Sequence, residues 1–314
     1  MIFYASGALS GDDRTLDMLA LHDIDLLASF AYVGVMKTRL PLLAQRLRAA
    51  HKKLWCMVDS GAFTAWSSGK DIDREALIDK CNQLQDGYSD CFNFVFVSLD
   101  RMPGRKGRKP TAQEIADAAQ ESMRNYDVMR ERVNGPVKPV FHYSDPLWLG
   151  EHYSQQTHYL GLGVPTTMPY EVRRRWVHEM GYRFSKHPLH GLAMTGTRML
   201  RTVRWHSVDS ASWVQWAGFG NIAWLLPTGA LKTISVSKES PNNKRADAHL
   251  STLSKMHQEE IIEGLKEYEI PLELILTTQQ ARAALNVIIF KRACDWAAKQ
   301  TLTDERSLGV FDDA

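Results

Sequence analysis

Three aspartates stand directly behind short apolar runs, in Val58-Asp59-Ser60-Gly61-Ala62-Phe63, Val97-Ser98-Leu99-Asp100 and Val208-Asp209-Ser210-Ala211-Ser212-Trp213. If those runs are strands of one parallel barrel, Asp59, Asp100 and Asp209 gather around one mouth, because a barrel carries its chemistry at the C-terminal ends of its strands. Three carboxylates at one mouth suit displacement at a sugar carbon. One attacks the anomeric carbon and forms a covalent intermediate, another shuttles the proton of the leaving and entering groups, and two displacements give retention. The third could accept hydrogen bonds from a planar base, with Gly161 and Gly163 letting that base approach the backbone. Two plainer readings stand beside this one. Acids at strand ends also cap the following helix, and Asp59-Ser60-Gly61 fits that alone. Asp59, Asp100, His142 and His190 could hold a divalent ion, but no HExxH or tight Cys/His cluster supports a metal, and none is expected.

The strands and helices that would hold these acids show as an alternation of patterns along the chain. Apolar runs at Ile2–Ala5, Leu54–Val58, Phe94–Ser98, Val137–Tyr143, Tyr159–Leu162, Leu189–Ala193, Trp205–Val208 and Ile222–Leu226 read as buried strands. Helical periodicity separates them at Asp73–Gln85, Thr111–Arg132, Tyr170–Met180 and Thr197–Val203. Acids at Asp71, Asp73 and Glu75 mark a helix start, and Thr111 with Glu114 forms a capping-box pattern. Eight strands in one series predict an α/β fold of the (β/α)8, TIM-like type. Beyond Pro227 the stretch 228–243 is polar and reads as a loop or short hairpin. Helices over His249–Glu267 and Thr278–Lys299 follow, the second with an apolar stripe of Ala281, Ala284, Leu285, Ile288, Ile289 and Ala293. Residues 1–314 are thus expected to form a single barrel domain, with 228–300 as an appended loop and outer helices and a frayed tail from Asp304 to Ala314.

Composition sets limits on what such a barrel does. With 44% hydrophobic residues among 314, the chain has ample core material and is neither disordered nor fibrous. A count of 38 Lys+Arg against 36 Asp+Glu leaves +2, which excludes a strongly basic wrapping protein but not an enzyme with one basic face. Cys56, Cys81, Cys91 and Cys294 form no CxxC and suit a reducing compartment. The acidic opening of the chain is unlike a secretory leader, and no run approaches the roughly 18 consecutive apolar residues of a membrane span. A cytoplasmic protein without membrane contact is expected.

Basic and aromatic residues cluster near the proposed mouth. Arg101, Arg105, Lys106, Arg108 and Lys109 follow Asp100 with no acid among them and could hold phosphates on either side of a reacting nucleotide. Arg198, Arg201 and Arg204, spaced three apart, would add to the same field, while Arg173–Arg175 read as ordinary wet surface. Lys238, Lys244 and Arg245 could fold over the substrate from the polar segment. A base drawn out of a stack needs an apolar wall; Phe63 is the first candidate by position and Trp213 the second. His142 and His190 are the histidines expected at the mouth.

The ordered set Asp59-Ser60-Gly61-Ala62-Phe63, Phe141-His142-Tyr143, Tyr159-Leu160-Gly161-Leu162-Gly163, His190-Gly191-Leu192 and Ser207-Val208-Asp209-Ser210-Ala211-Ser212-Trp213 resembles the tRNA-guanine transglycosylase superfamily. It is most similar to the phage and bacterial branch that exchanges guanine in DNA for a 7-deazaguanine. The resemblance runs from about residue 1 to about residue 225, and more loosely through the C-terminal helices. It implies a barrel that binds one nucleotide at its mouth, cuts the N-glycosidic bond of guanine and attaches a free modified base, such as 7-cyano-7-deazaguanine, to the same sugar. By motif, Asp209 matches the covalent nucleophile, Asp59 the acid/base residue, with Ser60 beside it in the base pocket, and Asp100 the acid that reads the base edge. His142 stands where the tRNA enzymes use a base-contacting glutamine, and Gly161 and Gly163 match the glycines beneath the base. The tRNA enzymes hold a structural zinc through three closely spaced cysteines and a histidine near the C-terminus. Only Cys294 lies in that region here, and the seventh run reads Ser-Val-Asp-Ser rather than a Phe-Asp-Cys type of sequence. Both departures favour DNA over tRNA, with no metal and no cofactor. A bacterial cell, the gene carried by a phage or mobile element, and a helper that opens the duplex complete the expectation. A glycosylase that releases the base without replacing it, RNA modification, and a non-enzymatic nucleic-acid-binding barrel are the alternatives.

Overall fold

A computed structural model of the protein describes residues 1–245 and 247–308. Its strands are β1 (Ile2–Ser6), β2 (Leu26–Ser29), β3 (Leu54–Asp59), β4 (Phe92–Val97), β5 (Val137–Lys138), β6 (Val140–His142), β7 (Leu160–Gly163), β8 (Leu189–Gly191), β9 (Ser207–Ser210), β10 (Asn221–Leu225) and β11 (Leu231–Ser235). The first nine form one parallel sheet in the order β5-β4-β3-β2-β1-β9-β8-β7-β6. The two ends of that order are consecutive in the chain, separated only by Pro139. Proline has no N–H to give a ladder, so the segment bonds β4 before it and β7 after it; the Pro139 carbonyl accepts from Gly161 N at 2.9 Å. The sheet therefore curls into a mostly closed, TIM-barrel-like α/β architecture with helices outside.

Strand residues alternate between two cores, as a period of two requires. Phe3, Ala5, Leu26, Ala28, Cys56, Val58, Phe94, Phe96 and Val208 point outward into the layer shared with the helices. Tyr4, Met57, Val95, Val97 and Val140 point inward and form a separate cluster with Leu27, Tyr159 and Leu192. Barrel interiors are commonly filled by branched aliphatic side chains. Here Lys138, His190, Ser207 and Asp209 are also buried, so part of the interior is polar.

The helix starts follow the expected chemistry. Asp73 accepts from Glu75 N and Ala76 N ahead of Arg74–Tyr88, and Thr111 with Glu114 makes a reciprocal capping box ahead of Ala112–Arg132. Tyr170–Arg183 extends the expected helix by three residues, whereas Thr197–Leu200 stops well before Val203.

Two strand expectations are corrected. Ile222–Leu226 is not a barrel strand: β10 pairs antiparallel with β11 as a hairpin beside the barrel. Its buried Ile222 and Ala223 face the long C-terminal helix Gln279–Leu308, where Asn286 accepts from Ala223 N at 2.7 Å and donates to Trp213 O at 3.0 Å and Asn221 O at 3.2 Å. The place in the barrel belongs to β2, a four-residue run hidden directly behind the helix Asp13–Leu21. The C-terminal helix packs on the barrel, with the Phe290 ring 6.0 Å from Phe3 and 5.0 Å from Trp216. It continues to Leu308, and residues 309–314 of the tail expected to fray lie outside the described residues. No helix among the described residues is long and apolar enough to cross a membrane.

Candidate active site

Asp209 is the last inward-facing residue of β9, in register with Tyr4 of β1, so its carboxylate sits at the top of the polar part of the barrel. Ser6 Oγ donates to Asp209 Oδ2 at 2.6 Å, and Ala193 N donates to Oδ1 at 3.0 Å. Ala193 holds a left-handed backbone (φ 55°), which a β-carbon disfavours. That conformation aims its amide at the acid. Trp213 fixes the other donor: its indole N–H bonds the Ser6 carbonyl at 3.1 Å. Burial raises the proton affinity of Asp209, but the adjacent His190 ring and the Ser6 and Ala193 donors outweigh it and hold the carboxyl below its ordinary range. Asp209 is therefore ionised at neutral pH.

His190 lies beneath Asp209, fully buried, with Nε2 3.4 Å from Oδ1. That is a polar contact and a long one for a hydrogen bond. Its Nδ1 bonds Ser207 Oγ at 2.6 Å, and Ser207 Oγ in turn bonds the Tyr159 hydroxyl. Burial first, and the Lys138 charge second, push His190 down to about 4, so the imidazole is neutral.

Asp59 ends β3. Ser29 Oγ and Gly61 N both donate to its Oδ2 at 3.0 Å, leaving Oδ1 for the mouth. The turn needs its glycine: Gly61 has φ +79°, and a β-carbon there would lie 2.7 Å from Ala31 N. Burial and the neighbouring Asp100 push the Asp59 carboxyl up to about 6 despite those donors.

Asp100 follows β4 and is locked to His142, whose Nε2 is 2.5 Å from Asp100 Oδ2. Burial acts to lower the imidazole, but Asp100 foremost and Asp145 and Asp59 beyond it raise it to about 9. The imidazole is therefore protonated at neutral pH. Asp145 also accepts from the His142 backbone N–H at 2.7 Å. Gly163 makes room for the ring, since a β-carbon would stand 2.5 Å from His142 Nδ1. Gly161 serves the barrel interior, where a β-carbon would crowd Val140, Pro139 O and Leu192. Ser60 is buried behind Asp100, with Oγ 3.5 Å from Oδ1, so it reaches the mouth through that acid.

The basic segment divides in two. Arg101 is bound to Asp71 at 2.6 Å and to Glu121 at 3.7 Å, and Arg108 is bound to Glu114. Arg105, Lys106 and Lys109 are exposed with no acidic partner among the described residues. Arg105 and Lys106 line a cleft of about 590 Å³ whose walls also include Trp66, Lys70, Asp71 and Asp100. Trp66 ties this loop down through its indole N–H to Gly104 O at 3.0 Å. Phe63 projects beside it, 66% exposed, with its ring 5.8 Å from that of Trp66. Trp213 is no stacking wall: it is 1% exposed and occupied with Ser6. Arg198 is exposed and close enough to Tyr170, at the start of its helix, for its charge to act on that phenol. Arg201 and Arg204 do not join it. They line a separate cleft of about 890 Å³ at the opposite end of the barrel, with Pro188, Trp205 and His206 at the strand starts. Lys238 pairs with Glu273 at 2.7 Å, and Lys238 and Lys244 line a hollow with Leu272 and Leu276 rather than the mouth.

Among the described residues no three His, Cys, Asp or Glu side chains come together in a way that could hold a metal ion. His190 is paired with Asp209 below the mouth and His142 with Asp100 beside it, so the set Asp59, Asp100, His142 and His190 is split. Tyr159 and Ser207 stand in the sequence motifs without an expected role, and Ser6, Ser29, Lys138 and the Ala193 amide lie outside the expected site residues. Ser6 and Ser29 carried a usable signal, a small hydroxyl just behind an apolar run. In comparisons with known proteins, no family model matches this chain and no curated protein matches its sequence.

Proposed function

We propose that the protein is a base-exchange transglycosylase that replaces guanine in DNA with a 7-deazaguanine derivative, such as 7-cyano-7-deazaguanine, through a covalent aspartyl–sugar intermediate. Counting 137–142 as one strand interrupted at Pro139, its barrel is of the (β/α)8 type. The observation that carries the reading is two carboxyls at strand ends with different surroundings: Asp209 accepts from Ser6 Oγ and Ala193 N, while Asp59 accepts from Ser29 Oγ and Gly61 N beside Asp100. Those surroundings hold Asp209 low and push Asp59 up to about 6. Carboxyls pushed apart in this way divide into nucleophile and acid/base.

In the first displacement an Asp209 oxygen attacks C1′, the C1′–N9 bond breaks, and Asp59 gives its proton to the departing guanine. In the second, Asp59 takes a proton from the incoming deazaguanine, whose N9 displaces Asp209 from C1′. Two inversions retain the configuration. Asp100 and protonated His142 supply an acceptor and a donor for the edge of the base, with Ser60 bracing Asp100, and Phe63 offers the stacking face. Arg105, Lys106, Lys109 and Arg198 hold the flanking phosphates, while Arg101 and Arg108 brace the loop that carries them.

DNA is preferred because the chain lacks the closely spaced C-terminal cysteines of the tRNA enzymes; Cys56, Cys81, Cys91 and Cys294 are scattered and buried. A protein that opens the duplex fits as a helper, and a bacterial cytoplasm, with a phage or mobile element as the gene's carrier, fits as the setting. The test is capture of the intermediate. Incubation with guanine-containing DNA and denaturing electrophoresis should yield a protein–DNA adduct that free deazaguanine discharges and Asp209→Asn does not form. Absence of any adduct under single-turnover conditions, with DNA bound, would contradict covalent exchange.

A further inference from the structure

The two-displacement scheme leaves one buried charge without a role. Lys138 of β5 is 1% exposed, its Nζ 3.3 Å from Met57 Sδ and 5.3 Å from the centre of the Tyr159 ring. A thioether and an aromatic face are weak partners for an ammonium, and no carboxylate lies within ion-pair distance of it among the described residues. Lys138 is level with Val97 of β4, three residues before Asp100, and its amine meets Met57 of β3, two residues before Asp59. The Tyr159 ring beside it bonds Ser207, which also holds His190 and stands two residues before Asp209 on β9, so the amine lies one inward layer below the acids, and their charges act on it. Neutral His190 adds no charge and His142 is spent on Asp100, so the Lys138 amine, protonated below its midpoint of about 7, is what supplies positive charge under the three acids.

Such a lysine is costly. Burial pushes it down to about 7, against the pull of the three aspartates, and a methionine of similar length would fill the same space without that cost. Packing therefore does not account for a lysine here. We propose that Lys138 is the countercharge of the mouth, a positioning residue that acts on Asp59, Asp100 and Asp209 from below without touching substrate. Its consequence for catalysis rests on the base-exchange reading. When Asp209 becomes the sugar ester and Asp59 gives up its proton, one negative charge moves from Asp209 to Asp59. A cation that faces both acids stabilises the charge in either place, so the transfer proceeds over a level field.

The experiment is a carboxyl-carbon NMR titration of the full-length protein labelled at aspartate, native against Lys138→Met. Loss of the cation should raise the Asp59 midpoint by about one pH unit, a tenfold gain in proton affinity, with no fall in melting temperature. An Asp59 midpoint that does not move overturns the proposal. If Lys138→Met does not fold, the lysine is read directly by Cε NMR in the native protein and in Asp209→Asn. Removing the Asp209 charge should lower the Lys138 midpoint, and an unchanged midpoint is again fatal. Neither titration needs DNA or a base, so failure of base exchange leaves this result standing, and the reverse. If both hold, the acid limb of the exchange rate moves up in Lys138→Met with the Asp59 midpoint.

Discussion

Asp59→Asn should cost the protein its proposed proton shuttle and make its fold more stable. The native carboxyl has its proton affinity raised from the ordinary 3.8 to about 6 by burial and by Asp100. The folded state therefore holds this proton more tightly than the unfolded chain, and stability falls as pH rises from 3.8 to 6. Above pH 6 the native protein carries the full cost of an ionised acid beside Asp100, on the order of 2–3 kcal/mol after allowance for the partial exposure of the side chain. Asparagine has no such charge. Its carbonyl oxygen can still accept from Ser29 Oγ and Gly61 N, both of which bond a single oxygen of the native carboxylate. Urea unfolding between pH 3.5 and 8 measures the difference. The variant should gain nothing at the acid end and about 2–3 kcal/mol at pH 8, while losing base exchange. A stability difference that does not change with pH, or a variant less stable than the native protein at pH 8, would rule out a costly ionised Asp59 in the folded state.

His142 carries the opposite sign. Its raised imidazole contributes stability that is full below 6.5 and lost as pH rises through about 9, so thermal melts of His142→Gln should show a deficit at pH 6 that closes by pH 10; a constant deficit would mean packing, not charge. In the basic loop, alanine at Arg105, Lys106 or Lys109 should each lower the salt dependence of DNA affinity by roughly one phosphate contact. Fluorescence anisotropy across salt concentrations should find smaller changes for Arg101→Ala and Arg108→Ala, whose guanidiniums are bound to Asp71 and Glu114; equal slopes for all five would contradict the division. Trp213→Ala should destabilise by about 3–5 kcal/mol, as a large core truncation does. Phe63→Ala should leave stability within about 0.5 kcal/mol and weaken nucleotide binding by about 1–3 kcal/mol, measured by urea unfolding and by titration with a short single strand.

What could be read from the chain was whatever repeats locally. Apolar runs ending in Asp59 and Asp209 announced strands with acids at their ends, and the Thr111–Glu114 spacing announced a helix start. Length misled where tertiary pairing decides. Leu26–Ser29 is too short to stand out behind a helix, and Ile222–Leu226 looks like any buried strand until Asn286 bonds its backbone beside the barrel. The acids of the site were visible because their type is unusual behind an apolar run. Their supports were not: Ser6 and Ala193 meet Asp209 across long chain separations, and Ala193 acts through its backbone conformation rather than its side chain. Lys138 sits among apolar residues of a strand, where only the inward turn of β5 shows that it faces the acids. Trp213 followed the motif and pointed into the core, because position in a motif does not say which way a side chain turns.

Exchange of a base at Asp209 can be read from the products. The protein, native or Asp209→Asn, is incubated with DNA, and separately with tRNA, together with 7-cyano- or 7-aminomethyl-7-deazaguanine. The nucleic acid is then digested to nucleosides and read by mass spectrometry. A deazaguanine deoxynucleoside formed by the native protein and absent with Asp209→Asn is the predicted result. Released guanine with no deazaguanine inserted, or a product made equally well by Asp209→Asn, would contradict it.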